Sequence, residues 1–590
     1  MGALPARRRD RRPAAPAAFD PHGAIGAISA MNAMNTSHDT TVYPARKIIT
    51  MNPMQPQASH VAVRDGRVLA VGTLADMQAW GRFTLDERFA AKVLMPGFVE
   101  GHCHLKEGSM WNWTYLGWFD RRDPDGKLWH GLRSMEQVLA RLSEVAAKMG
   151  ADGRPDTEPL IAWGFDPIYF GGERMTVQHV DRASATRPIV ISHANGHLMN
   201  VNSAMLRSAG ITRDNEVEGV VRFASGACAG EPTGELQEPA AMFLVLRKVG
   251  HAGLLAPLTE AGIRSFARLA CQQGVTTATD LVNKLTPQDC GVLERATQDE
   301  DFGVRILPAF QAFHGTHGAA LGAGHVQGLT LRNTDRLRYG LVKMMLDGSI
   351  QGFSARLRWP GYFNGAANGI WVTAPAQYEA DFETYHRAGL TIHTHTNGDE
   401  ASELAIAAIE RVLTRAPRPD HRHTLQHGQM IDAPLFRRMA QLNLCANLFA
   451  NHIWYWGDQH YEMSMGPDRA HRIDACASAL AAGVPLAIHS DAPVTPLGPL
   501  FTAWCAVNRI TPQGRLLGQA ERITVAQALR AITLGAAWTL KLDGEIGSIE
   551  VGKRADFCVL HDDPLESAPM ALKDLRIWGT VLSGRVFEAQ

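Results

Sequence analysis

Eight apolar stretches of strand length alternate with helical patterns along most of the chain, and this alternation limits the possible folds more than any other feature. The stretches cover residues 97–105, 274–282, 304–310, 338–346, 390–396, 422–428, 443–450 and 484–492. Before the second stretch, LTEAGIRSFARLACQQG repeats apolar residues at helical spacing, and Gly274 ends the run. Nearly continuous apolar strands are typical of parallel sheets that are buried on both faces. Eight such units predict an α/β fold, a closed (β/α)8 TIM barrel.

The segments around the barrel are predicted from turn signals and from length. Residues 41–95 and 541–590 contain short strands with tight turns, and Asp65-Gly66 is a two-residue hairpin signal. We expect these segments to form a small β-sandwich that flanks a barrel of residues 96–540. Residues 106–257 follow the first strand and are too long for an ordinary βα loop. They predict an inserted lid or substrate-recognition subdomain over the carboxyl ends of the strands.

The amino-terminal segment, residues 1–40, differs from the rest of the chain. It has an arginine cluster but no apolar signal-peptide segment. We expect a disordered tail, with Met31 or Met34 as alternative translation starts. A basic arm for an acidic partner is the functional alternative.

Composition excludes several classes of function. Lys+Arg 58 against Asp+Glu 59 leave a net charge near zero, so no global attraction to nucleic acid is expected. The sequence lacks the run of about 18 uncharged apolar residues that a membrane span requires. The eight cysteines are scattered without a CxxC pair, which favours reduced thiols and a cytoplasmic location. The expected partner is a small molecule, and a homo-oligomer is left open.

Side chains able to bind a metal stand at the ends of several predicted strands. They are His102, His104, Lys343, His395, His427 and Asp491. Alternate residues of a strand point to one face, so His102 and His104 can direct both rings at one point. Because the carboxyl ends of barrel strands share one rim, we expect all of these side chains to converge. Imidazole nitrogen and carboxylate oxygen suit zinc and similar divalent ions, which predicts a catalytic metal site.

Lys343 needs a partner because an unpaired ammonium is costly to bury in GLVKMMLDG. One interpretation is an ion pair with Asp347 or Asp491. The other is carboxylation by carbon dioxide, which converts the cation into a carbamate anion able to bridge two metals. The sequence leaves both open.

Six motifs carry a resemblance to a known family. They are MPGFVEGHCHL, VKMMLDGSIQG, IHTHTNGDEA, LQHGQ, HSDAPVTPLGP and GEIGSIEVGKRADFCVL. Together they look like the metal-dependent amidohydrolase superfamily, and more narrowly its YtcJ-like branch, which includes N-substituted formamide deformylase. The match runs from about residue 45 to the end of the chain. The resemblance implies a (β/α)8 barrel, a flanking β-sandwich from both termini, and one or two metals at the strand ends.

The resemblance also assigns the ligands. It implies one ion held by His102, His104 and Asp491, a second held by His395 and His427, and a bridge by carboxylated Lys343. His395 is preferred to the neighbouring His393 because the family's ligand directly precedes a segment similar to TNGD. His421 and His423 are expected to be structural or exposed.

One motif departs from the family pattern. In HSDAP, His489 and Ala492 stand where the family has a small residue and often tryptophan. This departure bears on the substrate class rather than on the metal set.

The predicted activity is hydrolysis of a non-peptide C–N bond in a linear amide, a formamide or an N-acyl compound. A metal-activated water attacks, and Asp491 acts as general base and then acid. Alternatives are a cyclic amide hydrolase, a deaminase or an ester hydrolase on the same centre, or a non-catalytic binding or regulatory protein on this barrel. Candidate substrate-binding residues are Trp111, Trp113, His193, His197, His452 and Trp454. Packing for the tryptophans and structural hydrogen bonding for the histidines are equal alternatives.

Overall fold

The computed structural model describes residues 39–171, 173–249, 257–312 and 318–589. The predicted tail up to residue 38, with Met31 and Met34, lies outside the described residues. So do residues 250–256, at the end of the predicted insertion.

One parallel sheet of eight strands forms the centre of the protein, with one strand in each of the eight predicted stretches. These strands are β1 Phe98–Glu100, β2 Val275–Asn283, β3 Arg305–Gln311, β4 Leu341–Met345, β5 Thr391–Thr396, β6 Thr424–His427, β7 Cys445–Leu448 and β8 Leu486–Ile488. Each pairs with its neighbour in chain order. Just beyond β1 and β8, Cys103 and Ala492 form a parallel bridge. The backbone N–H of His104 donates to the carbonyl of Ala492 at 2.7 Å.

Helices connect these strands and bury one face against the sheet. The longer ones are Glu260–Gln272, Pro287–Gln298, Ala319–Thr330, Pro375–Arg387, Asp399–Arg415, Ala433–Gln441 and Pro499–Asn508; shorter ones are His452–Tyr455, Gly457–Gln459, Gly466–Ala470, Cys476–Ala481, Val525–Arg530 and Ala536–Thr539. The helix Glu260–Gln272 begins at Thr259, whose side chain accepts from the Gly262 N–H. It is followed by Gly274 with φ +71, where a Cβ would lie 2.5 Å from Sγ of Cys558. Glycine is therefore required at this turn.

Strands from both ends of the sequence share a second sheet of eight strands. Its members are Thr41–Ile49, Gln57–Arg64, Arg67–Gly72, Thr84–Leu85, Val93–Pro96, Phe557–Leu560, Ile577–Leu582 and Arg585–Glu588. Val93–Pro96 pairs antiparallel with Phe557–Leu560, which joins the two terminal segments. A buried ion pair of 2.6 Å between Arg305 of β3 and Asp556 ties this sheet to the central one.

The insertion after β1 builds a sheet of its own with six strands. In spatial order they are Val220–Arg222, Pro232–Gln237, Leu198–Val201, Ile189–His193, Leu160–Phe165 and Thr114–Tyr115. The helices of the insertion are Glu107–Met110, Met135–Ala151, Val177–Asp181, Ser203–Ala209 and Glu238–Val249. Two apolar clusters within the insertion pack around this sheet, so the segment has its own core. Among the described helices, none is both long and apolar enough to cross a membrane.

Candidate metal centre

Three side chains meet beyond β1 and β8, the first and last strands of the central sheet. Oδ1 of Asp491 lies 3.2 Å from Nε2 of His102 and 3.2 Å from Nε2 of His104. The backbone holds this arrangement, because the Asp491 N–H donates to the His102 carbonyl at 3.0 Å. Asp491 has φ +53, a left-handed conformation that costs a non-glycine residue about 1–3 kcal/mol and is concentrated at functional sites. The structure thus brings Asp491 together with two predicted ligands that lie almost 400 residues earlier in the chain.

Gln426 of β6 fixes the orientation of the His102 ring. Its Oε1 accepts from Nδ1 of His102 at 2.8 Å and from Nδ2 of Asn447 at 2.9 Å. Its Nε2 donates to Nδ1 of His393 at 2.6 Å. Nδ1 of His102 therefore carries the proton, and the lone pair on Nε2 faces Asp491. This is the outer hydrogen bond that metal-binding histidines ordinarily have.

His395 of β5 and His427 of β6 lie beside His102, His104 and Asp491, and these five side chains with Lys343 are called the cluster below. Their ring centroids lie 4.4 Å apart, and the His427 ring lies 4.6 Å from that of His102. Nδ1 of His427 is 3.7 Å from Oδ2 of Asp491. His393 instead contacts Gln426, so the geometry favours His395 over His393 as the ligand on β5.

Lys343 of β4 lies beneath these rings and is buried. Its Nζ lies 3.2 Å from Nε2 of His102. Asp347, one of the two partners considered from the sequence, instead accepts the backbone N–H groups of Asn397 and Gly398, both at 2.9 Å. The lysine therefore shares the imidazole cluster and does not pair with Asp347.

Burial controls the electrostatics of the cluster. It lowers the pKa of His102, His395 and His427 well below the ordinary value, and nearby Lys343 and other imidazoles add to the effect. Burial also lowers the pKa of Lys343 to about 7, with Asp491 opposing the shift. The rings are thus neutral near pH 7, which is the form that binds metals.

Several buried residues around the cluster were not predicted as part of the site. His489 stacks on the His102 ring at a centroid distance of 4.6 Å. Asp280 of β2 places Oδ1 4.0 Å from Nδ1 of His104. Glu100 of β1 accepts from Oγ of Ser490 at 2.8 Å. The sequence signal for Glu100 was its position two residues before His102, on the same strand face.

Comparison with known proteins assigns the family. The sequence pattern of the amidohydrolase family matches residues 91–587. The chain belongs to the amidohydrolase family. The resemblance stated from the motifs is therefore confirmed.

Relatives of this amidohydrolase match over nearly their whole length. YtcJ of Bacillus subtilis is 25% identical over 91% of this chain and 97% of its own, and N-substituted formamide deformylase of Arthrobacter pascens is 25% identical over 91% and 96%. LONG AFTER FAR-RED 3 of Arabidopsis thaliana is 28% identical over 87% and 85%. A crystal structure of a metal-dependent hydrolase from Pyrococcus horikoshii superposes with a TM-score of 0.67 at 19% identity, covering 90% of this chain and 99% of that one. That likeness supports the fold.

The donor set of this amidohydrolase fits a divalent ion. Two groups of three side chains have donor atoms that all lie within 4.8 Å of one another. The first group is His102, His104 and Asp491. The second group is His102, His427 and His489. Nδ1 of His427 is buried and has no hydrogen-bond partner among the described residues. Unpaired buried nitrogen is costly, so these atoms are suited to a ligand that accepts their lone pairs.

Of the histidines predicted to touch substrate, His197 has a ring contact with a predicted metal ligand. Its ring, on the insertion, is 6.0 Å from that of His395. Its Nδ1 is 3.0 Å from Oε2 of Glu238. Burial acts to lower the pKa of His197, but the Glu238 carboxylate and other nearby acids outweigh it, so the pKa is raised. His193 and His452 are instead in structural hydrogen bonds, His193 with Asn200 at 2.6 Å and His452 with His460 at 2.9 Å.

The predicted tryptophans take part in aromatic packing. Trp111 and Trp113 belong to a cluster within the insertion, where the Trp111 ring lies 5.1 Å from that of Trp163. Trp454 packs on Trp504 at 5.3 Å. These contacts favour packing over substrate contact for the three residues.

A separate aromatic cleft lies where the insertion meets the loops after β7 and β8. Its lining residues are Tyr115, Trp118, Phe119, Arg121, Gly164, Tyr169, Ala194, Tyr455, Trp456, Pro493, Val494 and Pro496. Pro493 and Val494 follow Asp491 closely in the chain, which connects the cleft to the metal centre. Its cavity volume is about 30 Å³.

Proposed function

We propose that this amidohydrolase is a metal-dependent hydrolase of a non-peptide C–N bond, in a linear amide, a formamide or an N-acyl compound. The observation that carries the proposal is the approach of one carboxylate, Asp491, to two imidazoles at 3.2 Å each inside a barrel-like sheet. In the same proposal the eight central strands close into a (β/α)8 barrel, and the sheet of terminal strands is part of a flanking β-sandwich. The bridge between Cys103 and Ala492 supports closure.

The proposed metal ligands are those predicted from the sequence. His102, His104 and Asp491 would hold one ion, and His395 and His427 would hold a second; zinc is the proposed metal. A bound divalent ion supplies a water whose pKa is lowered from about 15.7 to about 7. Asp280 would orient His104 through its second ring nitrogen, as outer carboxylates do for zinc-bound imidazoles.

Asp491 has the position of the proton carrier. Its carboxylate would accept a proton from the attacking water and deliver it to the leaving nitrogen, which typically contributes about 10²- to 10⁴-fold in rate. One oxygen is engaged by the two imidazoles at 3.2 Å. The other, 3.7 Å from His427, faces the second pair of ligands.

His197 would be a donor to the substrate carbonyl. Glu238 holds Nδ1 of its ring at 3.0 Å, so Nε2 is the atom free to face the centre. Because Glu238 raises the pKa of His197, the ring gains a proton more readily than the neutral imidazoles beside it. A positioned donor of this kind stabilises charge that develops on oxygen.

Lys343 is proposed to carry a carbamate that bridges the two ions. Carbon dioxide reacts with a neutral amine, and burial favours that form at Lys343. The resulting anion would replace a buried cation beside His102 with a metal ligand.

The proposed substrate class is a small amide with an aromatic or apolar substituent. The aromatic rings of the cleft beside Pro493 and Val494 supply the matching surface. All eight cysteines are free, which supports the proposed cytoplasmic location.

The test combines metal analysis with a substrate panel. Purified protein is analysed for bound metal and then assayed, loaded with zinc or manganese, on formamides, N-acyl aromatic amines, cyclic imides, carbamates and esters. We expect stoichiometric metal and turnover of linear amides, both lost in His102→Ala. His421→Asn is the matched control, because His421 is a buried imidazole bonded to the Leu442 carbonyl at 2.9 Å outside the cluster. Protein without metal refutes the proposal; metal without turnover of any compound favours a binding role.

A further inference from the structure

His489 is a buried imidazole beside the proposed metal ligands, but it does not belong to the predicted ligand set. Its ring is fully buried between two others, stacked on His102 at 4.6 Å and 18° and on Phe449 at 4.7 Å and 24°. The His427 ring lies 5.1 Å away. The ring is thus fixed in the wall of the centre.

Neither ring nitrogen of His489 has a hydrogen-bond partner among the described residues. Leaving both nitrogens of an imidazole buried and unpaired is unfavourable. Other buried histidines avoid this: His452 bonds to His460 and His386 bonds to His423, both at 2.9 Å. A ligand bound at one of these nitrogens would provide the missing partner.

The backbone gives His489 the same relation to Asp491 that His102 has to His104. Both pairs are separated by one residue and lie just beyond a strand end, His489 and Asp491 after β8 and His102 and His104 after β1. Ring nitrogens of His102, His427 and His489 lie within 4.8 Å of one another. In a tetrahedral zinc site, donors about 2.0–2.1 Å from the ion come closer together than this, so small ring movements would complete the contact.

We propose that His489 is an additional metal ligand, adding a third imidazole to His395 and His427, the pair proposed to hold the second ion. The inference rests on the proposed function, since it adds a ligand to the same centre. Three imidazoles favour zinc, cobalt or nickel over magnesium, calcium or manganese, which prefer oxygen donors. The expected ligand class is thus a borderline transition ion held mainly by nitrogen.

The test measures Co²⁺ and Zn²⁺ binding directly. His489→Phe keeps the flat ring between His102 and Phe449 but removes both nitrogens, and His489→Cys substitutes a thiolate donor. We expect His489→Phe to weaken Co²⁺ binding by at least the roughly 10- to 100-fold that loss of an outer partner costs. X-ray absorption of the zinc-loaded protein should show fewer nitrogen neighbours. His489→Cys should give a thiolate-to-cobalt charge-transfer absorption that the wild type, with its native cysteines, lacks.

His386→Phe is the matched control, because it removes a buried imidazole outside the cluster and should leave Co²⁺ affinity unchanged. Wild-type affinity in His489→Phe, with no new absorption in His489→Cys, overturns the inference and makes His489 a packing ring. If circular dichroism shows that His489→Phe is unfolded, the absorption of His489→Cys decides alone. Wild-type protein that binds neither ion defeats the proposed function as well, whereas wild-type binding with unchanged variants defeats this inference only.

Discussion

Replacing Asp491 with asparagine removes the only carboxylate among the six proposed ligands while keeping the shape of the side chain. The Asp491 side chain is only 10% exposed, so solvent screens its interaction with a bound cation weakly. Breaking a buried ion pair costs about 3–5 kcal/mol. At about 1.36 kcal/mol per tenfold, this is a rise in metal Kd of roughly 200- to 5,000-fold.

Two further variants serve as comparisons for the expected rise in metal Kd. Asp280→Asn changes a carboxylate 4.0 Å from His104 that would not touch the ion, and should weaken binding by only about 10- to 100-fold. Asp166→Asn changes a buried carboxyl that accepts from Trp456 at 3.1 Å and should leave the Kd unchanged. The assay is competition for Zn²⁺ against a chelating dye. If Asp491→Asn binds zinc like the wild type, or if Asp280→Asn costs more than Asp491→Asn, the assigned ligand order is wrong.

Three other predictions test separate parts of the structure. In ¹³C-enriched bicarbonate, a carbamate signal from Lys343 should grow as pH rises through about 7, because burial lowers its pKa to about that value and only the neutral amine reacts; no signal at mildly alkaline pH excludes the bridge. Glu238→Gln should move the titration midpoint of His197 to lower pH in NMR spectra of the ring, since the carboxylate that stabilises the charged ring is lost; an unmoved midpoint contradicts the coupling. Asp556→Asn leaves the Arg305 guanidinium buried without its partner and should destabilise the protein by about 3–5 kcal/mol in urea unfolding; an unchanged midpoint means that the ion pair does not join the two sheets.

The sequence predicted the strands of the central sheet well because their apolar pattern is local. Each of the eight stretches contains a strand, and the strands pair in chain order. Their ends differ from the predicted ones most at β1 and β8, where the stretches 97–105 and 484–492 contain only Phe98–Glu100 and Leu486–Ile488 as strand. His102 and His104 therefore lie just beyond the strand, where the backbone is free to turn both rings inward.

The sequence was less informative about aromatic residues and about partners at long range. Trp111 and Trp454 follow strands, as the site prediction required, but pack against other tryptophans. The aromatic cleft is instead lined by other rings, among them Tyr169 from the insertion and Trp456 from the segment after β7. No local pattern distinguishes an aromatic ring that faces a cleft from one that faces a core.

The amino-acid sequence by itself determined which residues stand at the strand ends and which family motifs they form, because strand periodicity and motif order are properties of neighbouring residues. Only the tertiary structure decided that Lys343 faces His102 rather than Asp347. It also decided that His489 lies between His102 and Phe449, with no hydrogen-bond partner among the described residues. Such contacts join residues far apart in the chain, and they depend on how strands twist and how side chains exclude water. The local sequence thus determines which donor atoms are present, whereas the distances between them follow from packing of the whole central sheet and its helices.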